Sequence, residues 1–231
     1  MSQSALRAVL FDFDGTLSPS LPLWIKSYQL ALLHYQVTLT DAEVLQRCFF
    51  RDWSDVAADL GIGSPETLQA RVGASLQEVF LEAELFPLAR SLVEHCRAHD
   101  LRTALVTSSP RSIVGGVLTR LDLHALFDFT ICGDEVGNHK PHPEPVMTAL
   151  SALGLAAHEA VMVGDSHVDI LAGKAAGTRT ALYLPDDHHC FHDTGRLRAT
   201  APDHIFDDHA ELPRFLGLPD LGSGAAWRTS D

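Results

Sequence analysis

Short apolar runs alternate with longer amphipathic stretches along most of the chain. The apolar runs have the length of buried strands and read RAVLFDF (7–13), LRTALVT (101–107), FTICG (129–133), AVMVGD (160–165), TRTALYL (178–184) and, more weakly, DHIF (203–206). Helical patterns separate them, as in PLARSLVEHCRAHD, SIVGGVLTRLDL, PEPVMTALSALGL and DILAGKAAG. This alternation predicts an α/β fold in which a parallel sheet is covered by helices on both faces.

The segment between the first two apolar runs departs from this alternation. Its patterns are helical throughout, in LWIKSYQLALLHYQ, TDAEVLQRCFFRDWSDVAADLG and SPETLQARVGASLQEVFLEAEL, and TDAE and SPET have the composition of helix starts. We therefore expect an all-helical insert over 19–86 and an α/β core formed by 1–18 and 87–231. Such an insert can fold as a small bundle and move as a lid.

Composition and charge exclude several classes of function. The chain has 231 residues, 46% of them hydrophobic, and a net charge of −13, which argues against a nucleic-acid partner because that partner requires a basic face. No apolar stretch is long enough to span a membrane, and the first residues do not resemble a signal peptide. The four cysteines lack CxxC spacing, which favours free thiols in a reducing, cytoplasmic environment.

Acidic and hydroxyl residues follow three of the predicted strands. Asp12 and Asp14 follow the first strand, Thr107 follows the second, and Asp165 ends AVMVGD with Asp169 one helical turn later. Ligands of open parallel sheets bind outside the carboxyl ends of the strands, so we expect these loops to converge. Clustered carboxylates with water access suit Mg²⁺. The sequence therefore predicts a magnesium site at this edge.

A lysine and a helix start supply positive charge for an anionic ligand. Lys140 stands in NHKPHPEP, where the prolines indicate a rigid entry to a helix, and an ammonium group suits phosphate. The TSSPRS stretch, which includes Ser108, offers free backbone amides at a helix start.

Four motifs occur in the order typical of the haloacid dehalogenase superfamily, which the chain resembles over nearly its whole length. They are DFDGTL from Asp12, Thr107 after a hydrophobic strand, Lys140 before proline, and GDSHVD with Asp165 and Asp169. The helical insert is similar to the C1 cap of phosphoglycolate phosphatase and β-phosphoglucomutase. The resemblance implies a Rossmann-like, doubly wound core carrying an inserted helical cap domain.

The resemblance also implies a role for each motif residue. Asp12 would be the nucleophile that forms an aspartyl-phosphate, and Asp14 would protonate the leaving oxygen and then activate water. Mg²⁺ would be bound by Asp12, by the backbone carbonyl of Asp14 and by Asp165.

The remaining motif residues would hold the phosphoryl group. Thr107 and the Ser108 amide would bind its oxygens, and Lys140 would neutralise both the nucleophile and the phosphate. Asp169 would position Lys140 or a metal-bound water, although a first-turn acid favoured by the helix dipole is the competing interpretation.

An acid at position 14 is typical of phosphatases and phosphomutases within the superfamily. We therefore expect an Mg²⁺-dependent phosphatase acting on a small phosphorylated metabolite similar to phosphoglycolate or a sugar phosphate, as a monomer or a dimer. A β-phosphoglucomutase-like phosphomutase and a non-catalytic phosphate sensor remain alternatives. Pro19, in DGTLSPS, stands where an acid is common and leaves the hydrogen bonding of the first linker open.

Other polar and aromatic residues have plainer interpretations. Ser109 is expected to cap the next helix, Lys174 to lie on the surface, and the histidines of DDHHCFH to lie in a solvated loop. His139 and His142 are interpreted as loop residues. Core packing or a solvated helix face is expected for the candidates in the insert, which are Trp24, Lys26, Tyr28, Arg47, Arg51 and Trp53.

Overall fold

A six-stranded parallel sheet forms the centre of the computed structural model, which describes residues 5–221. The strands are β1 (Ala8–Phe11), β2 (Arg102–Val106), β3 (Phe129–Ile131), β4 (Ala160–Gly164), β5 (Arg179–Tyr183) and β6 (His204–Phe206). Their order is β3-β2-β1-β4-β5-β6. Each lies within a predicted apolar run, so the predicted Rossmann-like, doubly wound α/β fold is confirmed.

The described part of the chain contains ten α-helices. They are α1 (Leu21–Leu33), α2 (Asp41–Cys48), α3 (Trp53–Asp59), α4 (Pro65–Val79), α5 (Ala89–Ala98), α6 (Arg111–Arg120), α7 (Glu144–Leu153), α8 (His167–Ala176), α9 (Thr194–Ala199) and α10 (Leu212–Leu216). Short 3₁₀ helices include Asp186–Cys190 after β5 and His209–Glu211 before α10. No helix in residues 5–221 is both long and apolar enough to cross a bilayer.

Both faces of the sheet are buried, as continuous apolar strands require. In β1, Val9 and Phe11 belong to a large cluster that includes the helices before α6, whereas Ala8 and Leu10 belong to a second cluster with α7. All four residues are 0% exposed. The alternation of side chains along β1 therefore ties the two helical layers to one strand.

The segment between β1 and α5 folds into α1–α4 and a 3₁₀ helix, as predicted. Thr40 and Glu43 form a capping box at the start of α2, and Ser64 accepts a hydrogen bond from the Thr67 amide at the start of α4. The TDAEVLQRCFFRDWSDVAADLG pattern, predicted as helical throughout, is interrupted between α2 and α3. Phe50 has a φ of 54° there, a left-handed conformation that a helix does not accommodate.

The strand order creates a switch point between β1 and β4. The chain passes from β1 to β2 and β3 on one side of the sheet, and then places β4, β5 and β6 on the other. Adjacent connections at such a point leave in opposite directions and open a crevice at the carboxyl ends of the strands. The loops after β1, β2 and β4 meet at this crevice.

Candidate active site

Lys140 is buried between two carboxylates at the centre of the crevice. Its Nζ donates to Asp12 Oδ1 at 2.8 Å, to Asp169 Oδ1 at 2.5 Å and to the Val106 carbonyl at 2.9 Å. Burial by itself lowers the pKa of Lys140, but the charges of Asp12 and Asp169 outweigh it and raise that pKa above its ordinary value. The side chain is therefore a fixed ammonium group.

Asp169 holds its position through the start of α8. Its Oδ2 accepts hydrogen bonds from the Ser166 amide, at 3.1 Å, and from the Ser166 hydroxyl, which completes a capping box. Its other oxygen contacts Lys140. Both interpretations of Asp169 thus describe the same side chain, since it lies in the first turn of a helix and orients the lysine.

Asp165 completes a group of three carboxylates able to hold a cation. Ligand oxygens of Asp12, Asp165 and Asp169 lie within 4.8 Å of one another. Gly15, at φ +76°, permits the close approach, because a Cβ there would lie 2.2 Å from Asp165 Oδ2. Thr16 Oγ1 donates to Asp165 Oδ1 at 3.2 Å.

Charge and donor chemistry at this group fit Mg²⁺. Burial, followed by the neighbouring carboxylates Asp169, Asp165 and Asp14, raises the pKa of Asp12 against the opposing effect of Lys140. One ammonium group therefore does not balance the buried acids, and a hard divalent cation with oxygen ligands would.

Asp14 lies outside this group, with its side chain turned toward two hydroxyls. Ser20 Oγ donates to Oδ1 and Ser109 Oγ to Oδ2, each at 2.5 Å. Burial raises the pKa of Asp14, while hydrogen bonds from Ser109, Ser20 and Trp24 act in the opposite direction. A raised pKa favours a carboxylic acid that donates a proton.

The expectation that Ser109 caps α6 is wrong. Pro110 occupies the cap position, and the Ser109 hydroxyl contacts Asp14 instead because the loops after β1 and β2 are adjacent. Ser20 was not predicted as a site residue. Its contact with Asp14 shows that the first linker hydrogen-bonds to the site through Ser20, the residue after Pro19.

The candidate phosphate seat follows β2. Thr107 is 2% exposed, and its hydroxyl accepts a hydrogen bond from the Ser109 amide at 3.0 Å, while Ser108 lines the cavity above Asp12. This hydrogen bond within the loop after β2 fixes the backbone of the loop just before α6 begins. The phosphate contacts of Thr107 and Ser108 stay a prediction.

A cavity of about 160 Å³ lies over Asp12 and Asp14. The helical segment contributes only apolar and aromatic side chains to it, namely Leu21, Trp24, Tyr28, Phe49 and Phe50. Trp24 and Tyr28 therefore line the cavity as well as pack in the core. Lys140 is the one cation among the described lining residues.

The candidate cations of the helical segment form ion pairs away from the cavity. Arg47 and Arg51 both contact Asp59, at 2.8 and 3.4 Å, and Lys26 pairs with Glu82 on the surface. Trp53 packs against Tyr28, with ring centroids 5.8 Å apart. Arg47 thus lies on a partly solvated face of α2, as predicted, whereas Arg51 is exposed in the connection between α2 and α3 and not on a helix.

Two histidines after β5 reach Asp165, contrary to the expected solvated loop. His192 Nε2 donates to Asp165 Oδ2 at 2.8 Å, and His188 Nδ1 lies 4.0 Å from the same oxygen. Only His189 of the three is exposed. Because β5 lies beside β4, the segment after β5 begins near Asp165, and that adjacency is the signal the sequence offers.

The interpretations of His139, His142, Lys174 and the four cysteines agree with the structure. His139 and His142 are exposed loop residues, and Lys174 is an exposed residue of α8 that donates to the Thr200 and Ala201 carbonyls. All four cysteines are free thiols.

Comparison with known proteins gives the family. A family model described as haloacid dehalogenase-like hydrolase matches residues 9–183, which include all four motifs. The chain belongs to the haloacid dehalogenase-like hydrolase family. It is therefore an enzyme of the hydrolase class, and the resemblance of the motifs is confirmed.

Curated members of this family align with the chain over most of its length. A phosphoglycolate phosphatase of Yersinia pestis is 32% identical over 228 residues, covering 94% of this chain and 96% of the relative. The pyrophosphatase PpaX of Bacillus pumilus is 35% identical over 185 residues, covering 78% and 84%.

A solved haloacid dehalogenase-like structure extends the likeness to three dimensions. The crystal structure of a candidate β-phosphoglucomutase from Thermotoga maritima superposes with a TM-score of 0.73 at 26% identity, covering 92% of this chain and 99% of that one. The family likeness thus includes the helical segment as well as the sheet.

Proposed function

We propose that the chain is an Mg²⁺-dependent phosphatase that hydrolyses a small phosphate ester through an aspartyl-phosphate on Asp12. The observation that carries the proposal is the buried Lys140 ammonium held between Asp12 and Asp169, with Asp165 within ligand distance. Such a cluster stabilises a carboxylate nucleophile and the charge of a phosphoryl group together.

Two displacements at phosphorus make up the reaction. In the first, a carboxylate oxygen of Asp12 bonds to phosphorus while the bond to the ester oxygen breaks, and Asp14 gives its proton to that leaving oxygen. In the second, Asp14 takes a proton from a water molecule, whose oxygen attacks the phosphorus and releases Asp12 and inorganic phosphate.

The cation would be held by Asp12, Asp165 and the backbone carbonyl of Asp14. When bound, Mg²⁺ supplies positive charge opposite the phosphoryl oxygens as charge develops there. Lys140 supplies charge from the protein, Thr107 and Ser108 hold the phosphate, and Asp169 keeps the lysine in place.

The substrate class follows from the wall of the cavity that the helical segment forms. We propose that residues 19–86 act as a cap over a core of 1–18 and 87–231, and that the leaving group lies against the apolar side chains of the cap. A carboxylate or second phosphate there would lack a partner, because Arg47 and Arg51 contact Asp59 instead. The proposal therefore favours a phosphate ester with an uncharged leaving group.

The cellular setting of the enzyme is part of the same proposal. Four unpaired cysteines, three of them buried, support a reducing cytoplasm. A monomer is the proposed state.

Phosphate release from p-nitrophenyl phosphate tests the function. We expect turnover that requires added Mg²⁺, that is lost in Asp12→Asn, and that persists in the matched control Asp55→Asn, whose residue is exposed in the first turn of α3. An Asp12→Asn protein with wild-type rates would refute the assignment of the nucleophile.

A panel of phosphate esters separates the alternatives. Isomerised sugar phosphate without free phosphate, from a hexose 1-phosphate with a bisphosphate primer, would identify a phosphomutase. Binding of phosphate esters without Mg²⁺-stimulated turnover of any of them would identify a sensor.

A further inference from the structure

Two imidazole nitrogens and one carboxylate oxygen converge in a second cluster beside the proposed magnesium site. Donor atoms of Asp165, His188 and His192 all lie within 4.8 Å of one another. The three side chains are 2%, 2% and 4% exposed. The proposed hydrolysis uses Asp165 but gives neither histidine a role.

His188 directs an unpaired nitrogen into this cluster. Its Nδ1 is buried, has no hydrogen-bond partner among the described residues, and lies 4.0 Å from Asp165 Oδ2. Burying a polar atom without a partner destabilises a protein by about 1–3 kcal/mol, so buried nitrogens are usually bonded to something. The position of this one, facing a carboxylate and a second imidazole, points to a ligand.

The donor set identifies the class of that ligand. Mg²⁺ prefers oxygen donors only, whereas imidazole suits Zn²⁺ and the other divalent transition metals. Bonds of about 2.0–2.1 Å in a tetrahedral zinc site place donors roughly 3.3 Å apart. The observed separations of 2.8 Å for His192 and 4.0 Å for His188 from Asp165 Oδ2 bracket that value.

We propose that Asp165, His188 and His192 form a transition-metal site for Zn²⁺ or a similar ion, distinct from the magnesium site and sharing Asp165 with it. The ion would replace the proton that His192 now shares with Asp165 Oδ2 and would satisfy His188 Nδ1.

A transition metal at this site would affect catalysis, and this effect, unlike metal binding itself, rests on the proposed function. Asp165 belongs to both donor sets, so an ion held by the histidines would compete with Mg²⁺ for its carboxylate. Zn²⁺ should therefore inhibit Mg²⁺-dependent hydrolysis, and loss of either histidine should relieve the inhibition.

Metal binding by the full chain in the absence of any phosphate ester tests the site. After removal of metals with a chelator, Zn²⁺ is titrated calorimetrically, and Co²⁺ is followed by visible absorption, both with excess Mg²⁺ present. We expect one ion per chain and an intense tetrahedral-type Co²⁺ spectrum. His188→Gln and His192→Gln should each weaken binding at least tenfold.

The exposed neighbour His189 provides the matched control. His189→Gln removes an imidazole from the same DDHHCFH stretch and should leave Zn²⁺ affinity unchanged. Zn²⁺ should also raise the melting temperature of the wild type and the control, but not that of the two site variants. If one site variant fails to fold, the other carries the comparison.

Two results would overturn the proposal. Equal Zn²⁺ affinity in the wild type and a folded site variant would place the ion on the carboxylates alone. Absence of Zn²⁺ uptake by the wild type with Mg²⁺ present would leave His192 as a hydrogen-bond donor that orients Asp165. Both results are measurements of metal binding and do not depend on phosphatase activity. A failure of the metal-site proposal can therefore be distinguished from a failure of the proposed function.

Discussion

At the scale of single residues, the Lys140 ammonium group compensates the buried charges of Asp12 and Asp169. Lys140→Met would leave Asp12 and Asp169 buried without their shared ammonium group. We expect turnover of p-nitrophenyl phosphate to fall by roughly 10²-fold or more, because removal of one preorganised charge has that effect in comparable sites. Stability should fall by about 3–5 kcal/mol, the usual result of breaking a buried ion pair.

Lys26→Met is the control for this prediction. Lys26 contacts Glu82 at 3.3 Å, and both side chains are at least half exposed, so turnover and the urea midpoint should match the wild type. If turnover in Lys140→Met is less than tenfold lower than in the wild type, the lysine does not have the proposed role.

The hydroxyls on Asp14 lead to a prediction about pH. Hydrogen bonds from Ser109 and Ser20 stabilise the ionised carboxylate and lower a pKa that burial raises. Ser109→Ala removes one of them, so the pKa of Asp14 should rise further. Because a general acid must be protonated, the alkaline limb of kcat/KM should move to higher pH.

Profiles of kcat/KM against pH for Ser109→Ala and Ser112→Ala check this shift. Ser112 is exposed in the first turn of α6 and leaves Asp14 untouched. An alkaline limb that stays in place, or moves to lower pH, in Ser109→Ala would contradict the assignment of Asp14 as the acid.

Site residues that directly follow a strand can be predicted from the sequence, whereas residues farther along the chain cannot. Asp12, Asp14, Thr107 and Asp165 follow strands directly, so recognising the strands places them at one edge of the sheet. His188 and His192 lie several residues beyond β5, and their approach to Asp165 depends on a 3₁₀ helix that hydrophobic periodicity does not reveal.

At the scale of elements, His209 connects the helix before α10 to the loop after β1. Its Nε2–H donates to the Thr16 carbonyl at 2.9 Å, and its ring packs against Tyr183 with centroids 4.3 Å apart. Burial lowers the pKa of His209 to about 4, although the bond to Thr16 and the charge of Asp208 oppose this, while His188 adds to it.

The lowered pKa of His209 makes stability depend on pH. An unfolded histidine titrates near pH 6.5, so between about pH 6.5 and 4 the unfolded chain binds a proton that the folded chain does not. Stability is therefore complete above this range and is lost as pH falls through it, by up to about 3 kcal/mol from this group.

Urea unfolding at pH 7.5 and pH 4.5 measures this contribution. His209→Gln should be less stable than the wild type at pH 7.5 but should lose less stability on acidification. The exposed His139→Gln should keep the wild-type dependence. Equal losses in His209→Gln and the wild type would show that His209 does not stay neutral in the fold.

The elements themselves were predicted unequally. Strand positions followed from continuous apolar runs, which only a fully buried sheet requires. The break between α2 and α3 could not be predicted from the apolar pattern, because Phe49 and Phe50 continue that pattern while the backbone turns at Phe50. That turn places an exposed phenyl ring at the cavity, so the departure from helical periodicity coincides with the candidate site.

At the scale of the whole molecule, the helical segment and the sheet contribute opposite chemistry to one cavity. The sheet edge supplies carboxylates and Lys140, and the helices supply an apolar wall. We therefore expect kcat/KM for phenyl phosphate to exceed that for phosphoglycolate by at least tenfold. The carboxylate of phosphoglycolate would meet no free cation among the described lining residues and would be repelled by a chain of net charge −13.

Adding a cation to the apolar wall of the cavity tests whether the helical segment sets this preference for phenyl phosphate. Phe50 lines the cavity and is 52% exposed, so an arginine there keeps its charge solvated while reaching the leaving group. Phe50→Arg should raise the phosphoglycolate-to-phenyl phosphate ratio of kcat/KM by about tenfold, the effect of one partly screened charge pair. Phe50→Gln, which removes the ring without adding charge, should leave the ratio within threefold of the wild type. A ratio that Phe50→Arg leaves unchanged would mean that the leaving group lies away from the helical segment.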